Sequence, residues 1–438
     1  MKILMVNKFL HPNGGSETYI FQLGDELRRK GHEVQYFGME HEGRVVGNRA
    51  ESYTADMDFH SGKLKRLLYP FKIIYSFEAK RKIGAVLRDM NPDVVHLNNI
   101  NFQLTPSVIY AVRAYEKKRG RHVKLVYTAH DYQWVCPNHM MRIPTGGKIC
   151  FACREGHFFS CAKNRCIHGS RLKSLLGALE GRLYHRLRTY SMVDVIVCPS
   201  EFMKRQLDTD PILAEKTVMM HNFVERAGMN RTEENTDGRK GRSMKSAAAG
   251  EGDRDESIAA GQQGGKGSAA DYVLYFGRFS EEKGIATLLK ACRALPEIPF
   301  VFAGTGPLEE LVEQTENVQN RGFVTGDALH ELIAGARFSV YPSEWYENCP
   351  FSVMESQIYG TPVLVSDLGG APELVQAGCT GELFRGGDVE ELTVHIQELW
   401  EDPERCRRYR ENCREVKFDT VGQYCDKMVN EIYKKDRR

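Results

Sequence analysis

At 438 residues, with 42% hydrophobic and 10% aromatic content, the chain exceeds one ordinary core and accommodates two domains of about 150 to 200 residues each. It has no run of about 18 apolar residues, which excludes an ordinary membrane-spanning helix. The net charge of +2 divides unevenly, with 31 Lys+Arg against 17 Asp+Glu in residues 1 to 200 and 29 against 41 in the remainder; a basic half of this kind fits an anionic partner.

The opening apolar run KILMVN (2 to 7) is too short for the apolar region of a signal peptide and is expected to be a first strand. Apolar Ile20, Leu23 and Leu27 space a helix through TYIFQLGDELRRKG, and HEVQYFG returns to a strand. The runs DVVHLNN (93 to 99), VKLVYTAH (123 to 130) and VDVIVCPS (193 to 200) alternate with helical stretches, the pattern of a parallel sheet covered on both faces. A first α/β domain is expected over residues 1–224.

Within it Cys136, Cys150, Cys153, Cys161 and Cys166 crowd into an insertion over 136–166. The twelve cysteines of the chain, with no export signal, are expected to be reduced thiols of a cytoplasmic protein. Cys150-x2-Cys153 followed by Cys161-x4-Cys166 is compatible with a structural zinc site bracing an otherwise polar loop, with Cys136, His139, His157 or His168 as substitute ligands. Residues 63–82 and 163–190 each carry seven Lys+Arg against a single Glu, with aromatic residues interleaved. Such segments either form a solvated helix face or meet an anionic membrane or a lipid-linked acceptor at the inner face of the membrane.

Residues 225–270 are rich in Gly, Ala, Ser and charge and hold few large apolar residues, so they are expected to be a disordered linker. The α/β pattern then restarts in YVLYFGR (272 to 278), PFVFAGTG (299 to 306), FSVYPS (338 to 343) and TPVLVSD (361 to 367), giving a second doubly wound domain over 271–415. A terminal helix over 416–438 follows from Val421, Tyr424, Met428 and Ile432. Two such domains place the carboxyl ends of two sheets across a cleft, where α/β folds bind ligands.

The loops at those ends carry the chemistry. GRFSEEKG puts Arg278 and Lys283 after the first strand of the second domain, a planar fork and a mobile point charge suited to a diphosphate. Gly304 and Gly306 of FAGTGP allow close backbone approach to a ligand. In ENCPFSVME, Glu347 precedes and Glu355 follows a helix start at Pro350. That leaves unpaired N–H groups between two carboxylates, although Ser352 and Glu355 could equally be a capping pair.

Taken together, GRFSEEKG, FAGTGP, ENCPFSVME and SQIYGTPVLVSDLGGAPELV resemble the donor-binding domain of retaining family 4 glycosyltransferases of the GT-B fold. NGGSETYIFQLGDELRRKGHEV and YTAHDY are similar to that family's glycine loop and His-Asp loop. Cysteine-rich insertions after the His-Asp loop occur in a subset of it. The resemblance implies a transferase that moves a sugar from a nucleoside-diphosphate sugar to a hydroxyl acceptor, in cell-surface polysaccharide or glycolipid synthesis, with no catalytic cofactor. It implies that Glu347 binds the transferred sugar, Glu355 the ribose, and Arg278 and Lys283 the diphosphate. Gly14 and Gly15 would approach the phosphates, and His130 and Asp131 would face sugar and acceptor. Where many relatives have Gly-Phe or Gly-Leu, this chain has Asn348, Cys349 and Pro350 before Phe351, and donor preference is expected to depend on them. A nucleic-acid module built on the basic half would leave the Glu pair and its cations without work, so no nucleic acid is expected. An epimerase or phosphorylase on the same fold is the other alternative.

Overall fold

The computed structural model describes residues 1–55, 72–144, 146–225 and 272–434. The expected linker 225–270, Glu225 apart, and the first part of the basic stretch 63–82 lie outside the described residues.

The first sheet is made of β1 (Lys2–Val6), β2 (Glu33–Phe37), β3 (Val94–Leu97), β4 (Lys124–Thr128), β5 (Val195–Cys198) and β6 (Thr217–Met219), all parallel, in the order β2-β1-β3-β4-β5-β6. The register sets Ile3 beside Val34 and Val94. Its central strands are apolar on both sides because both sides are covered. Leu97, Leu125, Tyr127 and Ile196 point into one core, and Met5, Val94, Val126 and Val195 into the other.

The second sheet holds β7 (Val273–Phe276), β8 (Phe300–Ala303), β9 (Val318–Asn320), β10 (Phe338–Tyr341), β11 (Val363–Ser366) and β12 (Gly381–Phe384), in the order β12-β11-β10-β7-β8-β9. From β7 the chain proceeds outward through β8 and β9, and from β10 it proceeds the other way through β11 and β12. The neighbouring strands β7 and β10 are therefore the switch point, where the helices leave opposite faces and a crevice opens at the carboxyl ends.

The terminal segment returns to the first domain. Tyr424, Cys425, Met428, Val429, Ile432 and Tyr433 join the core beneath β1, β4 and β5. A buried polar chain fixes it there: the Tyr433 hydroxyl meets His96 Nδ1 at 2.8 Å, His96 Nε2 meets Thr128 at 2.8 Å, and Tyr19 bridges Thr128 and Tyr424. No described helix is long and apolar enough to cross a membrane.

Candidate active site

At the switch point, Phe276 ends β7 and the chain runs through Gly277 and Arg278 into a short turn at Glu281–Lys283. Gly284 closes that turn at φ 73°, where a Cβ would lie 1.8 Å from the Pro342 carbonyl oxygen. Only glycine tolerates both the left-handed backbone and the contact. The close approach presses the loop after β7 onto the loop after β10 and brings Lys283 to Glu347.

Glu347 is 9% exposed. Its Oε1 accepts three bonds, from Lys283 Nζ at 2.5 Å, Trp345 Nε1–H at 2.8 Å and the Ser343 hydroxyl at 2.9 Å. Burial would raise this carboxyl, but the Lys283 charge and the three donors outweigh it and hold it below its ordinary range. With every donor on Oε1, Oε2 has no protein partner among the described residues. Arg278 is exposed, and its guanidinium has no carboxylate partner among the described residues. Arg278, Lys283, Ser343, Glu347, Pro350 and Ser352 line one cavity that opens to solvent.

The helix Phe351–Ile358 begins at this cavity. Pro350 is its N-cap residue, at φ −68° and ψ 121°, and no side chain caps it. Ser352 thus lies inside the helix and forms no capping pair with Glu355. The first N–H groups of the helix lack intrahelical acceptors, and the positive end of its dipole faces the same space as the two cations. Glu355 lies one turn further on, outside the cavity lining. It is half-buried with no side-chain partner among the described residues, and burial lifts its carboxyl to about 7.

Other candidates take different positions. A Cβ on Gly304 would lie 1.9 Å from the Gly277 carbonyl oxygen, and one on Gly306 2.4 Å from that of Phe279. Both glycines support the backbone that carries Arg278 instead of lining the cavity. Asn348 and Cys349 turn toward the first domain. Asn348 Nδ2 donates to the His130 carbonyl at 2.6 Å, and the Asn222 amide nitrogens donate to Cys349 Sγ at 3.3 Å and its carbonyl at 3.0 Å. Phe351 reaches the glycine loop, its ring 3.6 Å from a Cβ built on Gly15; Gly14, exposed beside it, precedes the helix Gly15–Arg29.

His130 follows β4 on the facing domain. Asn98 Nδ2 is taken by the His96 carbonyl, so its Oδ1 accepts from His130 Nε2–H at 2.9 Å and leaves Nδ1 as the acceptor nitrogen. Burial lowers the ring to about 3 and keeps it neutral. Asp131 accepts the Gln133 N–H at 2.9 Å and shapes the turn. Sequence reasoning did not find Glu373. Its carboxylate receives the Glu201 and Phe202 N–H groups at 2.8 and 2.6 Å at the start of the helix Glu201–Leu207, and His221 at 3.3 Å. Burial opposes its charge, but these donors keep its carboxyl below the ordinary value. Ser343 and Trp345 were missed as well, although both stand within five residues of Glu347 in the strand-end loop.

Cys136, Cys150, Cys153 and Cys166 line one small cavity, and Cys161 packs beside Cys166 in an apolar cluster with Phe158. None of the five is in a disulfide. Among the described residues, the three metal-binding side chains whose donor atoms lie within 4.8 Å of one another are Glu382, His395 and Glu398, and no three of the five thiols come that close together. There Arg405 and Tyr409 already bind Glu382.

Residues 13–227 match the model of Glycosyltransferase Family 4, and residues 259–416 match that of Glycosyl transferases group 1. The chain carries both glycosyltransferase domains. Sulfoquinovosyl transferase SQD2 of Arabidopsis thaliana is 33% identical over 138 residues, 30% of this chain and 27% of that protein. O-antigen chain mannosyltransferase B of Escherichia coli is 31% identical over 144 residues, 30% of this chain and 37% of that one. The matched part is thus well under half the length of these relatives. Two solved structures superpose over nearly the whole chain. Sucrose-phosphate synthase of Thermosynechococcus elongatus has a TM-score of 0.64 at 17% identity, covering 99% of both chains. HepE of Anabaena in complex with UDP has a TM-score of 0.59 at 17% identity, covering 98% of this chain and 100% of that one. The architecture of the two glycosyltransferase domains is GT-B.

Proposed function

We propose that this chain transfers a sugar from a nucleoside-diphosphate sugar to a hydroxyl acceptor, with retention at the anomeric carbon, in cell-surface polysaccharide or glycolipid synthesis. The observation that carries the reading is the switch-point cavity, where Arg278, without a carboxylate partner among the described residues, the Lys283–Glu347 pair and a helix start with no side-chain cap meet. A diphosphate suits the two cations and the helix N–H groups, which meet its charge electrostatically in the place of a metal ion. Glu347 Oε2 is the acceptor for a hydroxyl of the transferred sugar, and Glu355 for the ribose. Structural neighbours with UDP and with UDP-glucose support this class of donor.

In the proposed step the anomeric C–O bond to the diphosphate breaks and its electron pair leaves with the phosphate. The acceptor oxygen bonds to the anomeric carbon from the same face, and its proton passes to the departing phosphate oxygen. Neutral His130 faces the sugar with a fixed tautomer, oriented by Asn98. A panel of nucleotide sugars tested for thermal stabilisation and slow hydrolysis, wild type against Glu347→Ala and Arg278→Ala, decides the matter. Stabilisation by at least one donor that both substitutions weaken is expected. No stabilisation by any donor, or variants equal to wild type, overturns the reading.

We further propose that the insertion holds one structural zinc ion, with ligands drawn from Cys136, Cys150, Cys153, Cys161 and Cys166. Support comes from the chemistry of the donors, free soft thiols of which Cys136, Cys150, Cys153 and Cys166 line one cavity. Metal analysis of the purified protein should give about one equivalent. Well under one equivalent removes the proposal.

A further inference from the structure

The helix Arg171–Arg186 has its apolar side turned outward. Toward the protein it buries Ser174, Gly177, Ala178, Glu180 and Tyr184. The small residues allow close packing, since a Cβ on Gly177 would lie 2.6 Å from Ile167 and one on Gly181 3.1 Å from Phe158. Outward it presents Leu172, Leu175, Leu179 and Leu183, spaced by three and four residues so that they form one stripe. They are 76%, 40%, 44% and 41% exposed, and Leu187 extends the stripe at 57%. Single exposed leucines are ordinary on a soluble surface, whereas a continuous row requires a partner.

The charges identify the kind of partner. Arg171, Lys173, Arg182, Arg186 and Arg188 are all exposed around the row. The sole acid of the helix, Glu180, is buried on the opposite side and lifted by that burial to about 8, so the outward face shows no negative charge. A second copy of this face would set like charge against like. An anionic surface with an apolar layer beneath it accommodates both the arginines and the leucines. On the inward side the Tyr184 hydroxyl donates to the Ile74 carbonyl, which ties this helix to the segment that leads into the helix Phe77–Met90.

We propose that this helix lies flat on an anionic bilayer, with its leucines at the acyl boundary and its arginines at the headgroup phosphates. The loop that carries the helix also touches the donor side of the cleft. Phe151 stacks on Tyr346 at 5.7 Å, and Arg142 meets Glu344 at 3.2 Å. The proposal stands whether or not the chain transfers sugar.

The test is co-sedimentation of the full chain with vesicles, either of phosphatidylcholine alone or of equal parts phosphatidylcholine and phosphatidylglycerol. Wild type should pellet with the anionic vesicles, less so with the neutral ones, and less again at high salt. The triple variant Leu175→Ser, Leu179→Ser, Leu183→Ser should bind about tenfold more weakly while keeping a single cooperative melt, shifted down because more than half of each side chain is covered by the protein. Arg171→Gln with Arg182→Gln and Arg186→Gln should lose the preference for anionic lipid. The proposal is overturned if wild type stays in the supernatant with anionic vesicles, or if the leucine variant binds as wild type does. It is equally overturned if lipid-free sedimentation shows a dimer that the leucine variant abolishes, since a second copy would then cover the face.

Discussion

Glu347→Gln removes one negative charge while keeping the shape of the side chain. In the wild type, Oε1 holds Lys283, Trp345 and Ser343 within 2.5 to 2.9 Å. A hydrogen bond to a charged group contributes about 1.5–3 kcal/mol. Lys283 is 30% exposed, so water screens part of its loss, and a cost of about 2 kcal/mol is expected. For a domain of this size that lowers the melting temperature by about 4–8 °C. Gln also places an N–H₂ donor where Oε2 would accept a sugar hydroxyl, so turnover should fall about 100-fold. Affinity for the bare nucleoside diphosphate should hold or rise, because Lys283 is no longer neutralised. The pH dependence has a definite sign. The folded carboxyl lies below its ordinary value of 4.5, so its stabilisation is present above that value and is lost as pH falls through the folded value. The melting gap between wild type and variant should therefore close in acid. Calorimetric melting across pH, together with steady-state transfer, reads all of this. A variant with wild-type turnover, or with an unchanged melting temperature at neutral pH, refutes the reasoning.

Glu355 shows the opposite linkage. Its carboxyl is raised to about 7 from 4.5, so the stability it gives is full below the lower value and lost as pH rises through the upper. Glu355→Gln should melt above wild type at about pH 8 and equally at about pH 4, and nucleotide affinity should rise with pH through about 7 in wild type and lose that rise in the variant. Gly304→Ala should displace the Gly277–Arg278 backbone, costing about 1–3 kcal/mol in stability and weakening nucleotide affinity, as melting and titration will show. Glu373→Gln should speed hydrogen exchange at the Glu201 and Phe202 amides about tenfold, since its carboxylate is their acceptor across the two domains; unchanged exchange would mean that the contact does not hold.

The doubly wound architecture was legible because the central strands are apolar on both faces and end in loops of glycine and charge. The missed strands β6, β9 and β12 lie away from the switch points, β6, β9 and β12 all at sheet edges, and are three or four residues long and partly exposed. They therefore lack the unbroken apolar run that marked the others. Glu347, Lys283 and Arg278 could be placed by sequence because strand ends converge at a switch point. The convergence of three donors on Oε1 could not, since it depends on Gly284 pressing one loop against the next. Asn348 and Cys349 were expected to shape donor preference, but their contacts with His130 and Asn222 come from a domain more than a hundred residues away, which no local pattern encodes. The leucines of Arg171–Arg186 have ordinary helical spacing, and nothing in that spacing tells an inward stripe from an outward one.

The central claim is that the switch-point cavity binds a nucleoside diphosphate through Arg278 and Lys283. Isothermal titration of wild type and Arg278→Ala with a series of nucleoside diphosphates tests it most directly. At least one should bind wild type, and the variant should bind it about 30-fold more weakly, the loss of one charge-assisted contact. Absence of binding by every nucleotide, or equal affinity in the two proteins, would contradict the account.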